Sequence, residues 1–426
     1  MNAVAKESVG ALSSRLWRDP AAWATTVDVF AILIVVSLPW STSLVAIFAA
    51  ALLVSMAPFL DVQALLESLK RPICVLPVAF FALAVAGTLW SDAPWNARLY
   101  AVGPTAKLLM LPVLLYHFER SARGLQVLIA FLVSCALLMV MSWIVAFDPG
   151  LALKSGAEYG IPVKNYIDQS QEFALCAVVL TYPIVALLRD QKTLRAAGLI
   201  AVALSFIINM VFVTVSRTAL VTMPVMLAVF ALLHLKWRSI VIILCATAVL
   251  SGLAWAASPR LQRTASTFLK DYQLYTERNV PTSIGLRLEF WRKSLQFISR
   301  APVFGHGTGS TRALFEEAAV DQHGAAAAVV ANPHNQTLNT AVQWGAVGAV
   351  VLYAMWVVHL LLFRGEGLAT WIGLMVVVQN IFTSLFNSHL SDFHEGWMYV
   401  MGVGIAGGMV LGTSSKATGT RNSAEP

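Results

Sequence analysis

Charge is what this chain of 426 residues has least of: Asp, Glu, Lys and Arg make up 12% of it, against 58% apolar residues. So little charge excludes an ordinary soluble domain and an unstructured acidic or basic chain, both of which need more polar surface. Cysteine is scarce as well. The four, Cys74, Cys135, Cys176 and Cys245, all fall inside apolar runs, which excludes a disulfide framework and a zinc-binding spacing. There is no internal repeat, no heptad and no paired Asp-x-Asp, and low complexity is confined to Ala325–Ala328 and a polar tail after Gly412. Nothing in this balance points to nucleic acid as a partner.

What the chain does have is apolar segments of membrane-spanning length. They lie near 24–40, 42–60, 73–90, 100–117, 124–147, 170–188, 196–215, 218–235, 238–257, 337–363, 368–390 and 396–412, about twelve helices in all. The expected fold is therefore all-α and polytopic, with nine spans over residues 1–257, a large, partly helical loop over 258–336, three spans over 337–412 and a tail at 413–426 expected to lack fixed structure. The first apolar run, Val27 to Trp40, follows Lys6, Arg15 and Arg18 without a small-residue cleavage site, and is expected to be a retained helix. Basic residues cluster in alternate short connections, at Lys70 and Arg71, Arg120 and Arg123, Arg189, Lys192 and Arg195, and Lys236 and Arg238. By the positive-inside rule both termini are then cytoplasmic and the 258–336 loop faces outward, since long loops cross whatever their charge.

That loop carries local signals. Apolar residues at 284, 288, 291, 295 and 298 follow the helical period and predict an amphipathic helix that stops before Pro302. Gly305, Gly307 and Gly309 predict a turn, and a second short helix is expected from near Thr311. The loop closes on Ala331-Asn332-Pro333-His334-Asn335-Gln336-Thr337-Leu338, which sets hydrogen-bonding groups at the mouth of the next span, where water meets lipid.

Several outward groups are candidates for chemistry, each with a plainer role available. Arg217 follows Ser216, an expected N-cap, at the outer start of a span; a cation there is opposed by the helix dipole unless an anion shares the site, and the plainer role is snorkelling to headgroups. Lys107 lies inside a span after Pro104, costly unless it lines a cavity. Arg287 sits four residues before Trp291 on the loop helix, where surface helices ordinarily carry arginine. Arg98 and Arg292 also face outward. His389, Asp392, His394 and Glu395 are of types that suit a divalent ion, yet residues so close in sequence more often cap and join two helices. His117, His234, His306 and His323 have no partner pattern and are expected to be structural.

Taken together, Pro333-His334-Asn335-Gln336-Thr337-Leu338, Gly285-Leu286-Arg287 with Trp291, and Ser216-Arg217-Thr218 resemble the signatures of the O-antigen ligase and polymerase superfamily of bacterial membrane glycosyltransferases, in order and in side. The resemblance implies a GT-C-like, multi-pass protein of the bacterial inner membrane with a periplasmic active site. It implies transfer of a glycan from undecaprenyl diphosphate, with neither metal nor cofactor, to lipid A-core in a ligase, to another lipid-linked repeat in a polymerase, or to a protein hydroxyl in a protein O-oligosaccharyltransferase. The compact chain with one dominant loop favours the ligase.

Chemistry agrees with what the resemblance implies. A diphosphate leaving group builds negative charge that arginines can stabilise in a water-poor cleft. Arg217 and Arg287, with Lys107 and Arg98, would hold it in place of a metal. A neutral His334 would take the acceptor proton, with Asp392 orienting its second ring nitrogen. A lipid or solute transporter is the alternative of another class; against it, no half of the chain repeats and no matched pair of broken helices is visible.

Overall fold

Every apolar run expected to cross a membrane lies largely on a helix in the computed structural model, which describes residues 19–154, 159–214 and 216–422, some of them by backbone alone. No strand occurs among the described residues. Eight helices there are long and apolar enough to cross: Pro20–Ser37, Thr42–Phe59, Trp95–Phe118, Gly124–Phe147, Tyr166–Arg189, Thr193–Phe212, Gln336–Leu362 and Phe393–Ser414. A ninth is added if Val62–Leu69 and Pro72–Ala86, bent by 84°, make one broken span. The expected count of about twelve is not reached on length and apolarity, because Thr218–His234 and Leu368–Thr383 are shorter apolar helices and parts of Trp237–Ala257 fall outside the described side chains. The last helix runs from Phe393 to Asn422, past the point where the polar tail begins in the sequence.

The Phe393 helix is the hub. Of its spanning window 72% is buried, against 28–50% in the other long spans, and it packs on Met110–Phe118, Leu368–Thr383 and Gly124–Phe147. Its glycines permit this. A Cβ at Gly408 would lie 2.7 Å from the carbonyl carbon of Phe118, and one at Gly402 would meet Val376 at 2.6 Å, so larger residues would force the helices apart. Within lipid, where apolar contact brings no gain over lipid tails, such backbone approach supplies the packing energy.

The loop between the ninth and tenth apolar runs folds on its own small core. Pro259–Arg278 leads into Ser283–Arg300, capped by Thr282, and then to Thr311–Glu317, close to the expected bounds. Phe290, Phe297 and Phe315 meet edge to face around Val342 of the Gln336–Leu362 helix, so the loop domain is seated on the span that follows it. The buried face of Ser283–Arg300 differs from the expected one: Leu295 is 59% exposed, while Glu289 and Lys293 are buried. The reason is polar. Glu289 accepts from Arg292 and Tyr275, and the Lys293 ammonium donates to the carbonyls of Ala318 and Ala326.

The predicted glycine turn has a structural use of its own. The Gln336–Leu362 helix breaks at Gly345 (φ 60°, ψ −151°), which would strand backbone groups inside the bundle. Residues 302–307 fill the break: His306 N donates to Val342 O (2.9 Å), Gly307 N to Gln343 O (2.8 Å), Ala346 N to Pro302 O (2.8 Å) and Val347 N to Val303 O (3.2 Å). Gly305 is obligatory there, since a Cβ would collide with the carbonyl of Gln343 at 2.5 Å.

Candidate functional site

Two short segments clasp each other at one end of the bundle, residues 332–336 before the Gln336 helix and 384–392 before the Phe393 helix. Asn335 caps the first helix through Leu338 N (3.0 Å) and donates to Leu385 O (3.0 Å). Gln336 N donates to Ser384 O (2.9 Å), and its side chain meets Ser391 from both sides. Asn332 accepts from the His334 backbone N–H (3.0 Å) and from Ser388 Oγ (2.6 Å). Held this way, His334 takes a left-handed backbone, φ 53°, which a histidine adopts only at a cost of about 1–3 kcal/mol and which the clasp over-determines.

The His334 ring is fixed on two sides. It stacks on Phe290 of the loop helix, centroids 6.1 Å apart, and its Nδ1 lies 2.8 Å from Asn387 Oδ1. Asn387 in turn donates from Nδ2 to Asp392 Oδ2 at 2.7 Å. Asp392 is thus linked to His334 through an amide, whereas the sequence led us to expect that it would meet the ring directly. Burial lowers the His334 pKa, the Asn387 bond opposes the shift, and the Arg287 charge adds to it. A neutral imidazole at pH 7 follows. Burial pushes Asp392 up to about 6; Lys107 works against the shift, Asp168 adds to it and the Asn387 bond opposes it.

The other candidates are distributed as follows. Arg287, half-buried and one turn before Phe290, acts electrostatically on both His334 and His389. Lys107 is buried beneath the clasp, its ammonium donating to the carbonyls of Ser391 (3.0 Å) and Asp392. Arg98 donates to the carbonyls of Ala93 and Thr88 and lies 4.6 Å over the Trp95 ring. The Lys107 and Arg98 head groups thus serve main-chain carbonyls. Arg217 opens its helix as expected and Ser216 holds the N-cap position, but the Ser216 side chain makes no cap bond, and the Arg217 side chain lies outside the described residues.

His389, Asp392 and Glu395 bring ligand atoms within 4.8 Å of one another, and the His389 nitrogens and Glu395 Oε1 have no hydrogen-bond partner among the described residues. The donor types suit a divalent ion. Two features weigh against one: Asp392 Oδ2 is already taken by Asn387, and the Lys107 ammonium, pressed against the same segment, supplies positive charge to both carboxylates. His394 is turned away to Asp168, 2.6 Å from its carboxylate.

Asn387 and Phe290 were not singled out from the sequence, and Asn332 only as part of the stretch that leads into His334. The available signal was slight: Asn387 stands five residues before Asp392 in Phe-Asn-Ser-His, and nothing along the chain relates it to residue 334.

Comparison with known proteins adds an independent finding. A protein of Haemophilus influenzae, described only as uncharacterized, is 27% identical over 143 residues, which is 32% of this chain and 36% of the relative. The match thus spans about a third of that relative's length. Residues 200–353 match the family described as O-antigen ligase. That stretch begins one helix before Arg217, takes in the whole loop with Arg287, and ends in the helix that His334 introduces, so the resemblance drawn from those short motifs is supported by a match to the O-antigen ligase family over residues 200–353.

Proposed function

We propose that this protein is an inverting, metal-independent glycosyltransferase that moves O-antigen polysaccharide from undecaprenyl diphosphate to a sugar hydroxyl of lipid A-core, at the periplasmic face of the bacterial inner membrane, with both termini cytoplasmic. The observation that carries this reading is a neutral, oriented His334 beside the Arg287 charge, at the joint between loop domain and membrane bundle and inside the family match. A donor carried on a polyprenyl lipid must keep its tail among the helices while its diphosphate and sugar reach water, and this joint meets both needs.

In the proposed reaction the acceptor hydroxyl gives its proton to His334 Nε2 as its oxygen bonds to the anomeric carbon. The bond from that carbon to the phosphate oxygen breaks, and its electron pair leaves on the diphosphate. A single displacement inverts the anomeric centre. Arg287, with Arg217 at its helix mouth, stabilises the charge that develops, and the planar guanidinium fork suits two phosphate oxygens at once. Lys107 and Arg98, expected beside them, take supporting parts in this scheme, since their head groups already serve main-chain carbonyls.

The test is to incubate the purified full chain with lipid-linked glycan and lipid A-core and to resolve the products on a gel. Joined glycan and core is the expected outcome. Longer lipid-linked chains in the absence of core identify a polymerase, glycan on an added acceptor protein identifies a protein O-oligosaccharyltransferase, and glycan lipid moved across a vesicle membrane with no covalent product identifies a transporter.

A further inference from the structure

The link from Asp392 to His334 runs through a group that treats its two ends differently. An ionised carboxylate can only accept hydrogen bonds, whereas a side-chain amide donates from nitrogen and accepts at oxygen. Asn387 therefore has one sensible orientation, with Nδ2 toward Asp392 (2.7 Å) and Oδ1 toward the His334 ring (2.8 Å). An acceptor facing a ring nitrogen requires a hydrogen on that nitrogen. His334 Nδ1 then carries the proton, and Nε2 is left with the lone pair.

We infer that Asn387 is a positioning residue that converts the acceptor-only character of Asp392 into a fixed tautomer of His334, the one whose Nε2 can act as base. The surroundings hold both ends of this relay in place. Asn387 N bonds to Thr383 O (3.2 Å), Lys107 grips the Asp392 carbonyl, and Phe290 fixes the plane of the ring. An interposed amide also separates orientation from charge. A carboxylate set directly against the imidazole would favour the imidazolium, a base already used up at neutral pH. The neutral amide passes on direction without that penalty, next to Arg287, whose charge favours the neutral ring. What the lone pair does depends on the function proposed above; the tautomer does not.

The test reads the tautomer in the resting protein. The full chain is labelled with nitrogen-15 in its eight histidines, the His334 signals are found by difference from His334→Gln, and shifts are recorded at neutral pH without substrate. The wild type is expected to show a protonated Nδ1 and a bare Nε2. Asn387→Leu and Asp392→Asn should both give a mixture of tautomers, the second because an amide can face Asn387 either way round. Asn387→Asp should raise the His334 titration midpoint by about 1–3 units, as a carboxylate within contact distance does. A wild-type His334 protonated at Nε2, or a tautomer unchanged in both Asn387→Leu and Asp392→Asn, overturns the inference. The wild-type measurement stands even if one variant fails to fold. Failure of the functional proposal looks different: His334→Ala transfers glycan at the wild-type rate while the tautomer remains as expected.

Discussion

Arg287 and His334 lie inside the segment that matches the O-antigen ligase family, whereas Asn387, Asp392 and Lys107 lie beyond it, and the two sets are held in different ways. Lys107 is buried with its ammonium on main-chain carbonyls, and the Asp392 carboxylate faces Asn387. His334 instead keeps Nε2 clear of its Asn387 bond, and Arg287 is only half-buried on a helix of the loop domain. The contrast separates the groups proposed to meet a substrate, both inside that segment, from Asn387, Asp392 and Lys107, which hold them from outside it.

The largest effect should come from the substrate-meeting set. His334→Ala is expected to lower transfer by about 10²–10⁴-fold, the usual contribution of a general base, while donor binding stays near wild type. Transfer at an undiminished rate would remove the distinction altogether. Arg287→Ala should come next. Removing one partner of a water-poor charge pair costs about 2–5 kcal/mol, so donor use should weaken well over tenfold, and Arg287→Lys should recover only part of it because lysine lacks the planar fork. Arg217→Ala and Arg217→Lys are expected to follow the same pattern. Measured donor dependence at fixed acceptor decides, since a change confined to acceptor affinity would place these arginines elsewhere in the reaction.

The supporting set should appear in the pH profile. Burial pushes Asp392 up to about 6, faced by Lys107, Asp168, His389, Glu395 and Asn387, and burial also lowers the His334 pKa. Transfer should therefore be full above pH 7 and fall to a lower plateau as pH drops through about 6, because a protonated Asp392 can donate as well as accept and no longer fixes the Asn387 amide. Asp392→Asn should have a lower plateau and lack this limb. An unaltered limb in that variant assigns it to another group. The smallest effect expected is none: excess chelator should leave transfer unchanged, as arginines carry the diphosphate charge. A loss restored by Mg or Mn would move the charge-bearing role to His389, Asp392 and Glu395.

Spans were legible in the sequence because length and apolarity are local properties, and the helices at Ser283–Arg300 and Thr311–Glu317 followed from periodicity and turn residues in the same way. The phase of the first was not. Counting apolar residues selected Leu295, which is exposed, and passed over Phe290 and Phe297, because Glu289 and Lys293 are buried through partners that the helix itself does not contain. His334 and Arg287 were legible as motif residues, and Asp392 as an acidic neighbour. Asn387 was not, since its meaning depends on a hydrogen bond across 53 positions of sequence. The break at Gly345 was hidden for the same reason: a Trp-Gly-Ala triplet in an apolar run reads as ordinary helix until the turn that fills it is known.

That filled break has a mechanical consequence. The amides of His306, Gly307, Ala346 and Val347 rivet the loop domain to the Gln336–Leu362 helix. Lifting the domain as a flap would strand all four at once, at roughly 1–3 kcal/mol each, so hydrogen exchange at these positions should report global unfolding and nothing faster. Loop and bundle then travel as one body. A lipid-tethered donor of the kind proposed above would then have to come in sideways between helices, in the bilayer plane and not from the water above it.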